Sequence, residues 1–342
     1  MKAVRLHAYH EAPRLEEVPE PAITGPHDVI VRVGGAGLCR TDVHIRDGWF
    51  APAVPTELPL TLGHENAGWV HEVGSAVENV VVGDAVICHP QLSCGICPAC
   101  RIGDDMRCAR GLDFTGLNRD GGFGEFLKTT DRAVLLLPSG LEPAMVAPHA
   151  DAGLTVMHTV RKCVPLLGAG TRVVVVGVGG LGHIAVQCLR ALTPAEVIVV
   201  DPDPEALKLA SDCGAHHLIS ADDRAPDRVR ELTGGDGAEA VIDFVGEGDA
   251  VASSLAMVRA RGTYFIVGYG GELRVPTFNL VLPEISVVGN AVGTHDDLRE
   301  LIALTATAAV TVRTWTYPLD AFADAISDLE NGRMHGRGVL VP

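Results

Sequence analysis

No stretch of the chain stays apolar for the roughly 20 residues that a bilayer crossing takes. The N-terminus, Met1-Lys2-Ala3-Val4-Arg5-Leu6-His7, also lacks the apolar core of a secretion signal and passes directly into an alternating pattern. Basic residues are scarce. There are 27 Lys and Arg against 43 Asp and Glu, a net charge of −16. That deficit argues against nucleic acid or an anionic membrane as the main partner. Internal repeats and low-complexity segments are missing as well. These absences lead us to expect a cytoplasmic protein, where nine cysteines are a poor fit to a disulfide framework.

What is present is a long, core-forming chain. Its 342 residues are 47% hydrophobic and 20% charged, which favours two domains over one. The organising stretch runs from 172 to 201. Arg172-Val173-Val174-Val175-Val176 reads as a strand, followed at once by Gly177-Val178-Gly179-Gly180-Leu181-Gly182. A helical pattern runs from His183 to Leu192, and a second apolar run, Val197 to Val200, ends in Asp201. This is the dinucleotide fingerprint in its proper context. Gly177 serves the tight turn, Gly179 lets backbone approach a pyrophosphate, and Gly182 lets helix and strand pack closely. The helix start at Gly180, Leu181 and Gly182 offers free N–H groups to phosphate. Asp201 can accept hydrogen bonds from the adenosine ribose and would repel a 2′-phosphate, so the spacing points to NAD rather than NADP.

The cysteines supply the second signal. Cys94-Gly95-Ile96-Cys97-Pro98-Ala99-Cys100 is followed by Cys108, four thiolates on one loop. Such a set closes a tetrahedral Zn²⁺ site with no open position, which makes it structural. A redox Cys-x-x-Cys or an iron–sulfur cluster fits less well, because no thioredoxin-like βαβ unit surrounds the motif.

A third cluster lies earlier, in Gly37-Leu38-Cys39-Arg40-Thr41-Asp42-Val43-His44. Cys39 is a thiolate candidate, Thr41 a proton-relaying hydroxyl, Asp42 a carboxylate able to orient a metal-bound histidine, and His44 a proton carrier to solvent. Gly63-His64-Glu65 offers a second ligand in His64 and, in Glu65, a carboxylate that can adjust coordination or bridge to a basic residue. Asp151, opening a helix at Ala152-Gly153-Leu154-Thr155, is a third ligand candidate. Its alternative is a plain helix cap, and His149 is a rival ligand two residues away. Trp49 and Phe50 follow the first cluster and suit an apolar pocket wall.

From 172 onward strands alternate with helices, so the fold class is α/β with a doubly wound parallel sheet. Asp203-Pro204-Glu205 starts a helix that Gly214 ends, and further strands fall at 217–220, 240–246, 262–268 and 285–289. Ligands bind beyond the carboxyl ends of such strands, which places Val245, Gly246, Val267, Gly268 and Tyr269 at the nicotinamide end. The N-terminal third reads as β, for example Asp28 to Val33 and Ala67 to Val73.

These motifs together resemble the zinc-dependent alcohol dehydrogenases of the medium-chain dehydrogenase/reductase superfamily, over essentially the whole chain. Asp151-Ala152-Gly153-Leu154-Thr155 and the Gly177–His183 run are most similar to the bacterial NAD-dependent secondary alcohol branch. The resemblance implies a GroES-like β-rich catalytic domain, residues 1–150 and 290–342, with a structural zinc lobe at about 92–110. It also implies a Rossmann NAD-binding domain at 151–289. It implies a catalytic zinc on Cys39, His64 and Asp151, a structural zinc on Cys94, Cys97, Cys100 and Cys108, and a proton relay of Thr41 and His44 through the cofactor ribose. Arg40 and Arg337 would approach the pyrophosphate. Well-known members have cysteine where Asp151 stands; aspartate is a harder ligand.

The implied reaction is reversible hydride transfer between an alcohol and NAD, giving a ketone or aldehyde. Alternatives are a polyol or sugar-alcohol dehydrogenase of the same superfamily, or a non-catalytic dinucleotide-binding zinc protein. The apolar flank of the sixth strand, Leu280 to Gly289, suits an edge buried against another copy, and the resemblance implies a homotetramer or a dimer.

Overall fold

The computed structural model describes residues 1–342 as two compact units. The first comprises Met1–Leu154, Gly293–Ala306 and Val312–Pro342, and the second Thr155–Val292 with Thr307–Thr311.

The second unit is built on six parallel strands. Their spatial order is His217–Ser220, Glu196–Asp201, Arg172–Val176, Ala238–Asp243, Val258–Ile266, Ser286–Gly289. That order, outward in both directions from the glycine-turn strand, is the doubly wound arrangement. Its central strands are β-branched and buried on both faces: Val173 to Val175 and Val197 to Val199 have no exposure. Parallel strands covered on both sides read as continuous apolar runs, which is why the sequence shows them so clearly. The helix Pro204–Asp212 is capped by Asp203, whose Oδ1 accepts the Glu205 N–H at 2.9 Å.

The first unit is mostly antiparallel sheet. A seven-stranded sheet is centred on the eleven-residue strand Asp28–Leu38, which pairs with Glu65–Val73, Phe126–Thr130 and Arg337–Val341. The strand expected to end at Val33 therefore runs on through Gly34-Gly35-Ala36-Gly37. Those small residues let neighbouring elements approach: a Cβ on Gly35 would strike the Ala144 backbone, and one on Gly37 would overlap the Glu65 carboxylate. The C-terminal strand Arg337–Val341 lies antiparallel beside Asp28–Leu38, while the N-terminal strand Lys2–Leu6 belongs to a separate three-stranded sheet. Its other neighbour, Thr314–Pro318, is a strand the sequence pattern does not announce.

Candidate active site

The helix Arg40–Arg46 begins where the central strand of the first unit ends, and it carries the first cluster. Asp42 organises it. Fully buried, it accepts the Cys39 N–H on Oδ2 at 2.9 Å and faces His64 Nδ1 from Oδ1 at 3.2 Å. One carboxylate thus holds the backbone of Cys39 and the ring of His64. It also fixes which nitrogen His64 turns inward, since Nδ1–H is committed to Asp42.

The inward nitrogen, His64 Nε2, is buried without a properly formed hydrogen bond and lies 3.4 Å from Asp151 Oδ2. Ligand atoms of Cys39, His64, Glu65 and Asp151 all lie within 4.8 Å of one another. Tetrahedral bonds of about 2.0–2.1 Å to nitrogen and oxygen put such atoms about 3.4 Å apart, so the spacing fits a zinc ion. The electrostatics point the same way. Burial pulls His64 toward neutrality, yet the Asp42 and Asp151 carboxylates outweigh it and raise its pKa well above the ordinary value. The cluster attracts positive charge, and a cation satisfies it as a proton would.

Glu65 lies in the same cluster, opposite Gly37 across the sheet. Its Oε1 accepts the first N–H of the helix Ala152–Cys163 from Ala152 at 3.0 Å and pairs with the Arg337 guanidinium. Burial pushes the Glu65 pKa up, partly countered by Arg337. Arg337 is itself only 4% exposed and belongs to this buried network, beside Glu65 and Cys39. It is the basic partner that Glu65 called for. His149 is placed differently from Asp151. Its Nε2 is 3.0 Å from Thr305 Oγ1, and it is not among the clustered ligand atoms.

Thr41 and His44 share the helix with Arg40 and Asp42. Three residues apart, they project from one face. The His44 ring stacks on Trp49 at 4.2 Å with an interplanar angle of 10°, so Trp49 supports the histidine.

The four-cysteine loop is the second cluster. The sulfur atoms of Cys94, Cys97, Cys100 and Cys108 lie within 4.8 Å of one another; Cys97–Cys100 is 3.4 Å and Cys94–Cys100 is 4.0 Å. Zn–S bonds of about 2.3 Å require sulfurs about 3.8 Å apart in a tetrahedron, which this set matches. Backbone N–H groups of Ala109 and Cys100 hold the Cys97 thiol down to about 6, while burial pushes Cys100 up to about 11. Deprotonated sulfur is the ligand form, and the loop is built to favour it at Cys97.

In the second unit the glycine turn has the form dinucleotide binding needs. Gly177 sits at φ +84°, and a Cβ on Gly182 would overlap the Gly177 carbonyl. A Cβ on Gly179 meets nothing within 4 Å, leaving room for a pyrophosphate. Gly180 and Leu181 lead into the helix Gly182–Leu192. Asp201 has bonds within the chain that the fingerprint does not predict: its Oδ2 accepts the Val178 N–H at 2.7 Å and its Oδ1 the Asp203 N–H at 2.9 Å. It therefore braces the glycine turn itself.

At the other switch-point strands, Gly246 sits at φ +65°, packed against the Gly268 backbone next to Val245, Val267 and Tyr269. The anchor there is a residue the sequence reading passed over. Buried Asp243 accepts N–H groups of Val245 and Gly246 on Oδ1, at 2.8 and 2.9 Å, and the Tyr264 hydroxyl on Oδ2 at 2.7 Å. Its signal was visible: an aspartate closing the apolar strand Ala240-Val241-Ile242.

The chain is similar to known proteins. Residues 25–139 match the alcohol dehydrogenase GroES-like domain family, and residues 180–307 the zinc-binding dehydrogenase family. An NAD-dependent alcohol dehydrogenase of Sulfurisphaera tokodaii is 34% identical over 350 residues, covering 100% of both chains. The crystal structure of the alcohol dehydrogenase from Aeropyrum pernix superposes with a TM-score of 0.97 at 44% identity, again over 100% of both chains. A D-arabinose 1-dehydrogenase (NADP(+)) of Saccharolobus solfataricus is 31% identical, covering 100% of this chain and 97% of the relative.

Proposed function

The chain belongs to the zinc-binding alcohol dehydrogenases with a GroES-like domain, and from that premise we propose that it interconverts secondary or aromatic alcohols and their carbonyl products with NAD. The observation that carries this reading is the buried cluster of Cys39, His64 and Asp151, in a chain that also has a complete glycine turn.

When bound, zinc supplies a Lewis acid for the alcohol oxygen and NAD accepts the hydride. The chain's own residues do the positioning. Cys39, His64 and Asp151 would hold the metal, and a three-ligand set would leave a position for the alcohol. Asp42 keeps His64 Nε2 inward. Glu65 and Arg337 neutralise each other behind the ligands, so a carboxylate in the buried cluster does not stand uncompensated. The Thr41 hydroxyl would take the substrate's hydroxyl proton as it gives up its own, and His44 would carry the released proton toward solvent. Cys94, Cys97, Cys100 and Cys108 would hold a structural zinc that ties down their loop. Asp201 favours NAD, because its carboxylate repels a 2′-phosphate.

The relative named for D-arabinose, a sugar, supports a second reading, oxidation of a polyhydroxylated substrate such as a sugar or polyol. Trp49 beside His44 favours the apolar substrate. Oligomerisation is read from the second unit. Its outermost strand, Ser286–Gly289, is an open edge, and Phe278, Val281 and Leu282 next to it are 66%, 73% and 69% exposed. An apolar edge of this kind pairs with a second copy, giving a dimer or tetramer. No helix is long and apolar enough to cross a membrane.

Metal analysis and a substrate panel test the reading. Two zinc ions per chain are expected, with NADH formed from secondary and aromatic alcohols and little reduction of NADP. A single zinc, or turnover confined to sugars with NADP, defeats it.

A further inference from the structure

The helix His295–Ala306 in the first unit bonds at its start to the four-cysteine loop, through Asp105, and near its end to the turn that precedes Asp151, through His149. At its start, Thr294 and Asp297 cap each other: the Thr294 N–H and hydroxyl reach Asp297 Oδ2 at 2.8 and 2.9 Å, and the Asp297 N–H reaches Thr294 Oγ1 at 3.2 Å. The helix's first N–H, that of His295, goes to Asp105 Oδ2 at 3.0 Å. Asp105 lies between Cys100 and Cys108 in the four-cysteine loop and is 6% exposed. Its other oxygen faces the Ser93 hydroxyl at 3.4 Å. The four-cysteine loop therefore grips the start of this helix.

About 15 Å along the axis, Thr305 meets His149. The Thr305 hydroxyl donates to the Leu301 carbonyl at 2.9 Å, so its oxygen is left to accept from His149 Nε2–H at 3.0 Å. The His149 ring is fully buried, and a Cβ on Gly153 would strike both the ring and Leu301 of the same helix. His149 stands in the 3-10 turn Ala147–Ala150, which leads directly into Asp151. On the far side of Asp151, the Ala152 N–H is held by Glu65. The backbone at Asp151 is thus pinned behind by Thr305 through His149 and ahead by Glu65.

From this geometry we propose that helix His295–Ala306 is a strut joining the two metal sites. Asp105 and Thr305 are its positioning residues, and His149 is the lever that aims the Asp151 carboxylate. The proposal rests on the zinc assignments above. It predicts that the metal held by Asp151 loosens when either end of the strut is cut, although neither Asp105 nor Thr305 contacts it.

The test is zinc release from the full-length, zinc-loaded protein into excess chelator, followed with a chromogenic zinc indicator. Cys39→Ser identifies the phase belonging to the Asp151 site by abolishing it. Thr305→Val keeps shape but strands the His149 N–H, and Asp105→Ala removes the grip on His295. Each is expected to speed that phase about tenfold, the usual scale for losing an outer partner of a metal ligand. Thr305→Ser and Asp105→Asn, which keep an acceptor oxygen, restore the wild-type rate. Thr305 is only half-buried, and Thr305→Ala replaces the valine variant if that one does not fold. An unchanged rate in either cut variant, even with a lowered melting temperature, overturns the strut. A wild-type protein that releases only one zinc overturns the zinc assignments and the strut together, whereas two zincs released at unaltered rates in the variants overturn the strut alone.

Discussion

The two metal clusters of the first unit solve the same coordination problem in opposite ways. Cys94, Cys97, Cys100 and Cys108 come from one loop, so closing the set costs little chain entropy. Four sulfurs complete the tetrahedron and leave nothing for a substrate. Cys39, His64 and Asp151 come from a strand–helix junction, the entry to an interior strand and a turn before a helix, far apart in the chain. That set depends on the whole sheet to exist and on buried partners, Asp42 for His64 and Glu65 beside Asp151, to hold its aim. With Cys39, His64 and Asp151 as the proposed ligands, and Glu65 committed to Arg337, it would keep a position open. A local site suits structural work, and a distributed site suits chemistry, because only the latter opens onto space shaped by other elements.

The sharpest way to break this comparison is to remove one ligand from each cluster. His64→Ala is expected to lower kcat/KM by roughly 10³-fold while the four-cysteine zinc stays, since several kcal/mol of charge stabilisation go with the metal. Cys97→Ser is expected to do the converse, lowering the melting temperature by about 10 °C while activity per folded molecule persists. Metal analysis, kinetics and calorimetry on both variants decide it; equal losses in both assays for both variants would erase the distinction.

Asp42→Asn comes next. It keeps the shape but weakens the acceptor for His64 Nδ1–H, and zinc affinity at the Cys39–His64–Asp151 site should fall about 10–100-fold. Chelator competition measures this, and the four-cysteine site is the internal control.

Tyr264→Phe extends the comparison to the second unit, where Asp243 plays the part that Asp42 plays in the first. Burial and the Asp243 charge raise the Tyr264 pKa, so the hydroxyl stays a donor across the working range. Removing it leaves Asp243 Oδ2 buried without that bond, at a cost of about 1.5–3 kcal/mol. Denaturant unfolding reads the loss, and a stability change near zero would show that the Tyr264 hydroxyl does not hold the Asp243 anchor in place.

The smallest effect is a surface one. Asp28 is held down to about 2, against burial, by Lys128 and by the Thr24 and Gly25 N–H groups. Because its folded pKa lies below the unfolded value of 3.8, its stabilisation is complete above pH 3.8 and disappears as pH falls through about 2. Melting temperatures of wild type and Asp28→Asn should differ at neutral pH and converge near pH 2. A gap that persists there removes the carboxylate from the account.

Legibility followed locality. Spacing alone was enough to mark the four cysteines and the glycine turn, because every partner lies within one loop or one strand–turn–helix. The parallel sheet was equally plain, since strands buried on both faces must be apolar throughout. The Cys39–His64–Asp151 set was legible as three candidates but not as a site. Whether Asp151 or His149 faced His64 depended on how the turn Ala147–Ala150 was pinned by Thr305, 156 residues from His149. The Glu65–Arg337 pair spans 272 residues and the Asp105–His295 bond 190, distances over which no periodicity carries information.

The amino-acid sequence by itself determined the chemistry available to this protein: four thiolates in one loop, a glycine turn for a dinucleotide, and the donors of a second metal. Tertiary structure decided which of those donors meet. A ligand's identity is a property of its side chain, but its aim is a property of the backbone that carries it. That backbone is held here by Asp42, Glu65 and Thr305 across contacts only the folded sheet and its helices create.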